Sequence, residues 1–77
     1  MYCAIYSPGN LPILLDCARR LSPLIEEHQE LVIFDARGLN GPYGPPQALI
    51  STVEREIGIV ANIAIASNPD AAVHAAR

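Results

Sequence analysis

Leu31-Val32-Ile33-Phe34-Asp35 (LVIFD) is the stretch on which the fold turns. β-Branched and aromatic side chains dominate it, and such residues fit a pleated, half-buried surface. A short apolar run of this kind reads as a buried strand. Upstream, residues 24–27 supply a second short strand, with His28-Gln29 as the turn between the two. Downstream, residues 38–46 (GLNGPYGPP) are so rich in Gly and Pro that they must be loop.

The pattern continues in both directions. Tyr2–Tyr6 (YCAIY) is an apolar run closed by Ser7-Pro8-Gly9-Asn10, which reads as a first strand. Leu11–Leu21 places Leu14, Leu15, Ala18 and Leu21 at helical spacing, with Asn10 as N-cap and Pro12 in the first turn. Asp16 and Arg20 form an i,i+4 pair in the favourable orientation. Ser22-Pro23 ends that helix. Pro46–Ile57 reads as an amphipathic helix with Leu49, Ile50, Val53 and Ile57 on its apolar face, and Gly58 stops it. Residues 59–66 predict a last strand. Ser67-Asn68-Pro69-Asp70 then opens an alanine-rich helix with a capping side chain, a proline at its first position and an acid in its first turn.

The order is β-α-β-β-α-β-α. Without its last helix this is the ferredoxin-like arrangement, an α+β fold with an antiparallel sheet and two helices on one face. A βαββαβ core plus a C-terminal helix, in one domain over residues 1–77, is therefore expected. Function does not follow from such a superfold.

Composition narrows the function classes. The 77 residues are 51% hydrophobic, enough for a core, yet so short a chain buries only about 60% of its unfolded surface. The formal net charge is −3, and every positive side chain is an arginine. Neutralising phosphates drives most non-specific nucleic-acid affinity, so this acidic balance disfavours tight DNA binding by the chain alone. Cys3 and Cys17 are too few for a disulfide scaffold and sit in apolar contexts, so they read as buried free thiols. The two histidines have no nearby cysteine pair, hence no zinc pattern. No apolar stretch approaches the length of a membrane span and no signal peptide is apparent, which points to the cytoplasm.

Several residues are candidates for contact or chemistry. Glu26, Glu27 and Glu30 cluster around a turn, where a residual cation site competes with a simply solvated turn. Asp35 ends a buried strand, where a loop-capping role competes with a chemical one. Arg19, Arg20 and Arg37 are candidate DNA-backbone or partner contacts, although an arginine pair at a helix C-terminus also suits the macrodipole. Tyr43 is presented on the Gly/Pro loop as a candidate docking residue, with folding of that loop back over the sheet edge as the equal alternative. His74 follows Asp70 by one helical turn and reads as a helix-stabilising pair.

Three segments resemble the palm of Y-family DNA polymerases, and within that family its inactive, ImuB-like bacterial branch. Residues 15–27 (LDCARRLSPLIEE) resemble the palm helix and the Ser-Pro-x-x-Glu step into the central strand. Residues 32–46 (VIFDARGLNGPYGPP) resemble the following strand and its Gly-Leu to Gly-Pro-Pro loop. Residues 58–77 (GIVANIAIASNPDAAVHAAR) resemble the Gly-Ile-Ala-x-Asn strand-to-helix signature, with Asn-Pro-Asp-Ala-Ala where active polymerases usually carry Asn-Lys. The opening MYCAIYSP resembles the family's first strand.

The departures carry as much meaning. An active palm holds two Mg²⁺ ions with an Asp on its first strand and an Asp-Glu pair at its central strand, to clamp the attacking and leaving oxygens. Here the first strand carries no acid. Glu30 falls near one carboxylate position, with Leu31 beside it. Glu30 and Asp35 are thus candidate vestigial carboxylates, with no catalytic residue, no metal ligands and no Mg²⁺ expected. The resemblance also implies a palm without the fingers, of whose place only residues 7–10 remain, and without the thumb and little-finger domains. It implies a non-catalytic part in DNA repair by translesion synthesis, through DNA and partner proteins in a full-length context. The alternative is a ferredoxin-like regulatory module that forms homo-oligomers and has no DNA role.

Overall fold

The computed structural model describes residues 1–22, 24–36 and 46–77. Strands β1 (Tyr2–Tyr6), β2 (Ile25–His28), β3 (Leu31–Asp35) and β4 (Asn62–Ala66) form one sheet in the order β2-β3-β1-β4. Every neighbouring pair is antiparallel. Helices α1 (Leu11–Leu21), α2 (Pro46–Ile57) and α3 (Pro69–Ala76) complete the described elements. The α+β, ferredoxin-like expectation with an added C-terminal helix is what the chain adopts.

Strand alternation divides the sheet into two faces. One face carries Cys3, Ile5, Val32 and Phe34, which pack with Leu14, Cys17 and Ala18 of α1 and Leu49, Val53 and Ile57 of α2. Nearly all of these are completely buried. The other face carries Ala4, Leu31, Ile33 and Ala64, packed with Ala72 and Ala76 of α3. Alanine recurs on both sides of this second contact, which lets α3 lie close to the strands. The first core is thick and built of large side chains, whereas the second is thin and built of small ones.

Three boundaries differ from the sequence reading. β2 begins at Ile25 and the turn falls at Gln29-Glu30, one residue later than expected. Ile25 is the first residue opposite the core position Phe34, while Leu24 stays 67% exposed. Glu30 adopts φ 55°, the left-handed conformation that a two-residue connection demands and a non-glycine side chain disfavours. β4 covers only the second part of the predicted 59–66 run. β1 ends at Tyr6, opposite Asn62, so residues 59–61 have no strand to pair with. α1 spans Leu11–Leu21 as read, but the Asn10 side chain makes no capping bond and instead donates Nδ2–H to the Ser7 hydroxyl at 2.9 Å.

Other local signals act as read. The Asn68 Oδ1 accepts the Ala71 amide at 2.8 Å with Pro69 at the head of α3. Gly58 takes φ 69° just after α2, the left-handed stop that glycine allows. Asp16 and Arg20 pair at 3.0 Å. Asp70 and His74 form no ion pair among the described residues, so α3 relies on its cap and on its contact with the sheet.

Candidate functional site

α3 lies over β4 and β1 and reaches β3 less. The far corner of that face is left as a shallow groove of about 360 Å³, lined by Tyr2, Leu24, Glu26, Ile33 and Asp35, with Ile25 and Phe34 beneath. Registry explains the grouping. Tyr2 pairs with Asp35, and Glu26 pairs with Ile33, two residues before Asp35 on the same face. The groove thus has an apolar floor, an aromatic wall and two carboxylates at its lip. Glu26 also stands 3.9 Å from the His28 Nε2. Glu26 is exposed, Tyr2 and Asp35 are half-buried and Ile33 is buried. The arrangement suits docking of an apolar group, with the exposed Glu26 at the rim. Sequence reasoning did not join Tyr2 and Glu26 to Asp35; the period-2 alternation together with the β1–β3 and β2–β3 registers connects them.

The two candidate vestigial carboxylates are not brought together. Glu30 precedes β3 and Asp35 ends it, so roughly 16 Å of extended strand separates them. The Glu30 Oε1 accepts the Gly9 amide at 3.0 Å and its carbonyl accepts the Ser7 amide at 3.3 Å. Between them, β1 and β3 present Tyr2, Ala4, Tyr6, Leu31 and Ile33 on that face. This donor set does not fit a two-ion centre. Among the described residues no three His, Cys, Asp or Glu side chains gather at ligating distance.

No family model, curated protein or solved structure matches this chain.

Of the arginines, Arg20 is committed to the fold. It bonds Asp16 within α1, and reaches α2 through the Glu56 carboxylate (3.4 Å) and the Glu56 carbonyl (3.2 Å). Arg19 is exposed and lies beside Leu15, Ile25, Glu26 and Glu27 in a cleft between α1 and β2. Acidic neighbours there work against a phosphate-binding role. Arg37 and Tyr43 lie outside the described residues.

Both cysteines are free and buried, as their contexts suggest. Burial pushes the Cys3 thiol up to about 12, with Cys17 adding to the rise. Burial also raises Cys17, against the pull of the Arg20 guanidinium. Such thiols stay protonated at neutral pH and make poor nucleophiles. No described helix is long and apolar enough to cross a membrane.

Proposed function

We propose that this chain is a non-catalytic, palm-like module of DNA-damage tolerance, akin to the ImuB-like branch of Y-family polymerases, acting through partners and DNA rather than by nucleotide transfer. The observation that carries the reading is an antiparallel sheet in the order β2-β3-β1-β4 whose face offers Tyr2, Ala4, Tyr6, Leu31 and Ile33 where the resemblance to a polymerase palm would call for carboxylates. The sequence segments at residues 15–27, 32–46 and 58–77 support it. Of the two candidate vestigial carboxylates, Glu30 is occupied in holding the Gly9 amide and Asp35 lies at the far end of β3. The net charge of −3 makes DNA contact by this chain weak and steeply salt-dependent.

The test is a titration with fluorescent primer–template DNA, with Mg²⁺ and nucleotides, from low to physiological salt. Weak binding that fades with salt, without primer extension, is expected. Extension would overturn the non-catalytic reading. Absence of binding at every salt would favour the second reading, a regulatory or oligomerisation module without a DNA role, which the net charge of −3 also favours.

A further inference from the structure

Among the described residues the sheet has two open edges, and they differ in kind. β2 exposes Glu26, Glu27 and His28 along one edge. Antiparallel pairing of two β2 strands would set glutamates against each other, which is destabilising. That edge is protected in the way sheet proteins commonly protect edges, by charge and brevity.

Among the described residues β4 has no such protection. From Ile57 to Pro69 the chain holds no charged residue. Val60, just before the strand, is 94% exposed, and Ile63 and Ile65 are only partly buried. Half the backbone N–H and C=O groups of an edge strand point away from the sheet. On β4 none of these bonds to another described residue. The sequence Asn62-Ile63-Ala64-Ile65-Ala66 is also nearly palindromic about Ala64. Antiparallel pairing about that residue sets Ile63 of one copy opposite Ile65 of the other, Ala64 opposite Ala64, and Asn62 opposite Ala66. The isoleucines of both copies then meet on the face that already carries the larger core.

The helices permit this approach. α3 straddles β4 and β1, so it sits about one strand spacing from the β4 edge. Strands lie about 4.8 Å apart, so two copies joined at β4 would hold their α3 helices about 10 Å apart, the ordinary helix-packing distance. The exposed side chains of α3 include Ala71 and Ala75, which are small enough for that contact.

We infer that β4 is a self-recognition edge, through which two copies of this chain pair antiparallel about Ala64 into a continuous eight-stranded sheet. The occupant is a second copy because the edge is self-complementary and uncharged, whereas a charged partner strand finds nothing here to recognise. The inference goes beyond the proposed function and does not depend on it. One strand pair with one helix contact is a small interface, below the roughly 1,200 Å² of stable complexes, so the dimer is weak.

Sedimentation velocity on the intact chain across micromolar to millimolar concentrations tests it. A reversible dimer is expected. Ile63→Lys should raise its dissociation constant by about tenfold or more, because four facing isoleucines become two with buried charge. Glu27→Lys on the opposite edge should leave the constant unchanged. Since Ile63→Lys touches the core, a second variant, Asn62→Cys with Ala66→Cys, tests the register directly. Mild oxidation with diamide should link it into a covalent dimer, while the buried Cys3 and Cys17 of the parent chain stay unlinked. A monomer throughout the concentration range, a dimer loosened by Glu27→Lys, or no cross-link in a folded double-cysteine variant would each overturn the inference.

Discussion

The Glu30 carboxylate accepts the Gly9 amide at 3.0 Å, so the β2–β3 turn is tied to the loop between β1 and α1. Glu30 holds a left-handed backbone to do so. A non-glycine residue there costs on the order of 1 kcal/mol, and an exposed hydrogen bond returns a similar amount. Strain and bond therefore separate by substitution. Glu30→Ala keeps the strain and loses the bond, and should destabilise by about 1 kcal/mol, a fall in Tm of about 4–8 °C for a domain of this size. Glu30→Gly loses both and should lie close to the parent. Thermal melts of the two variants side by side check this. Equal losses would mean that the left-handed backbone at Glu30 carries no strain, and a neutral Glu30→Ala that the Gly9 contact carries nothing.

The two cores should respond to opposite changes. Phe34 is fully buried between the sheet and the large helices, and Phe34→Ala should cost about 3–5 kcal/mol, enough to unfold a large part of so small a domain. Ala72 is fully buried in the thin layer under α3, where there is no room to remove but also none to add. Ala72→Leu should overpack that layer and cost about 1–3 kcal/mol. Denaturant titration reads both. If Ala72→Leu is neutral, α3 is held less closely than the contact implies.

The legibility of this fold follows from where its signals are local. β1, α1, α2 and α3 announce themselves through apolar runs, period-3.6 spacing and caps, all of which are short-range. The errors came where tertiary pairing decides. β2 slid by one residue because Ile25, not Leu24, meets Phe34 across the sheet. β4 shortened because β1 offers no partner beyond Tyr6. The Asn10 side chain turned to Ser7 because the Ser7-Pro8-Gly9 turn places that hydroxyl within reach. The groove formed by Tyr2, Glu26 and Asp35 was illegible for the same reason, since it joins three strands.

Arg19 and Arg20 are neighbours in sequence with separable roles. Arg20 bridges α1 to α2 through Glu56 and bonds Asp16. All three side chains are about half exposed or more, so the ion pairs are screened and the carbonyl bond supplies much of the effect. Arg20→Ala should cost about 1 kcal/mol. Arg20→Lys should not restore it, because one ammonium cannot reproduce a planar fork that reaches three oxygens. Arg19→Ala should leave the melting curve in place. Any loss it causes in low-salt DNA binding would then report contact rather than unfolding.

The buried Cys3 thiol gives the domain an alkaline limit. Its folded value lies near 12 against an ordinary 9.0, so the unfolded chain releases this proton first as pH rises. A group raised on folding stabilises fully below its unfolded value and loses that contribution as pH climbs toward its folded one. Stability should therefore be flat up to about pH 9 and then fall by at most about 1.4 kcal/mol per unit. Cys17 is raised for the same main reason and adds to the slope. Cys3→Ala removes the larger contributor and should flatten the curve between pH 9 and 11, at the cost of a small cavity near neutral pH. Urea denaturation at stepped pH on both proteins measures it. Parallel curves would show that the thiol ionises in the folded chain as readily as in the unfolded one, and that the Cys3 site is wetter than its burial indicates.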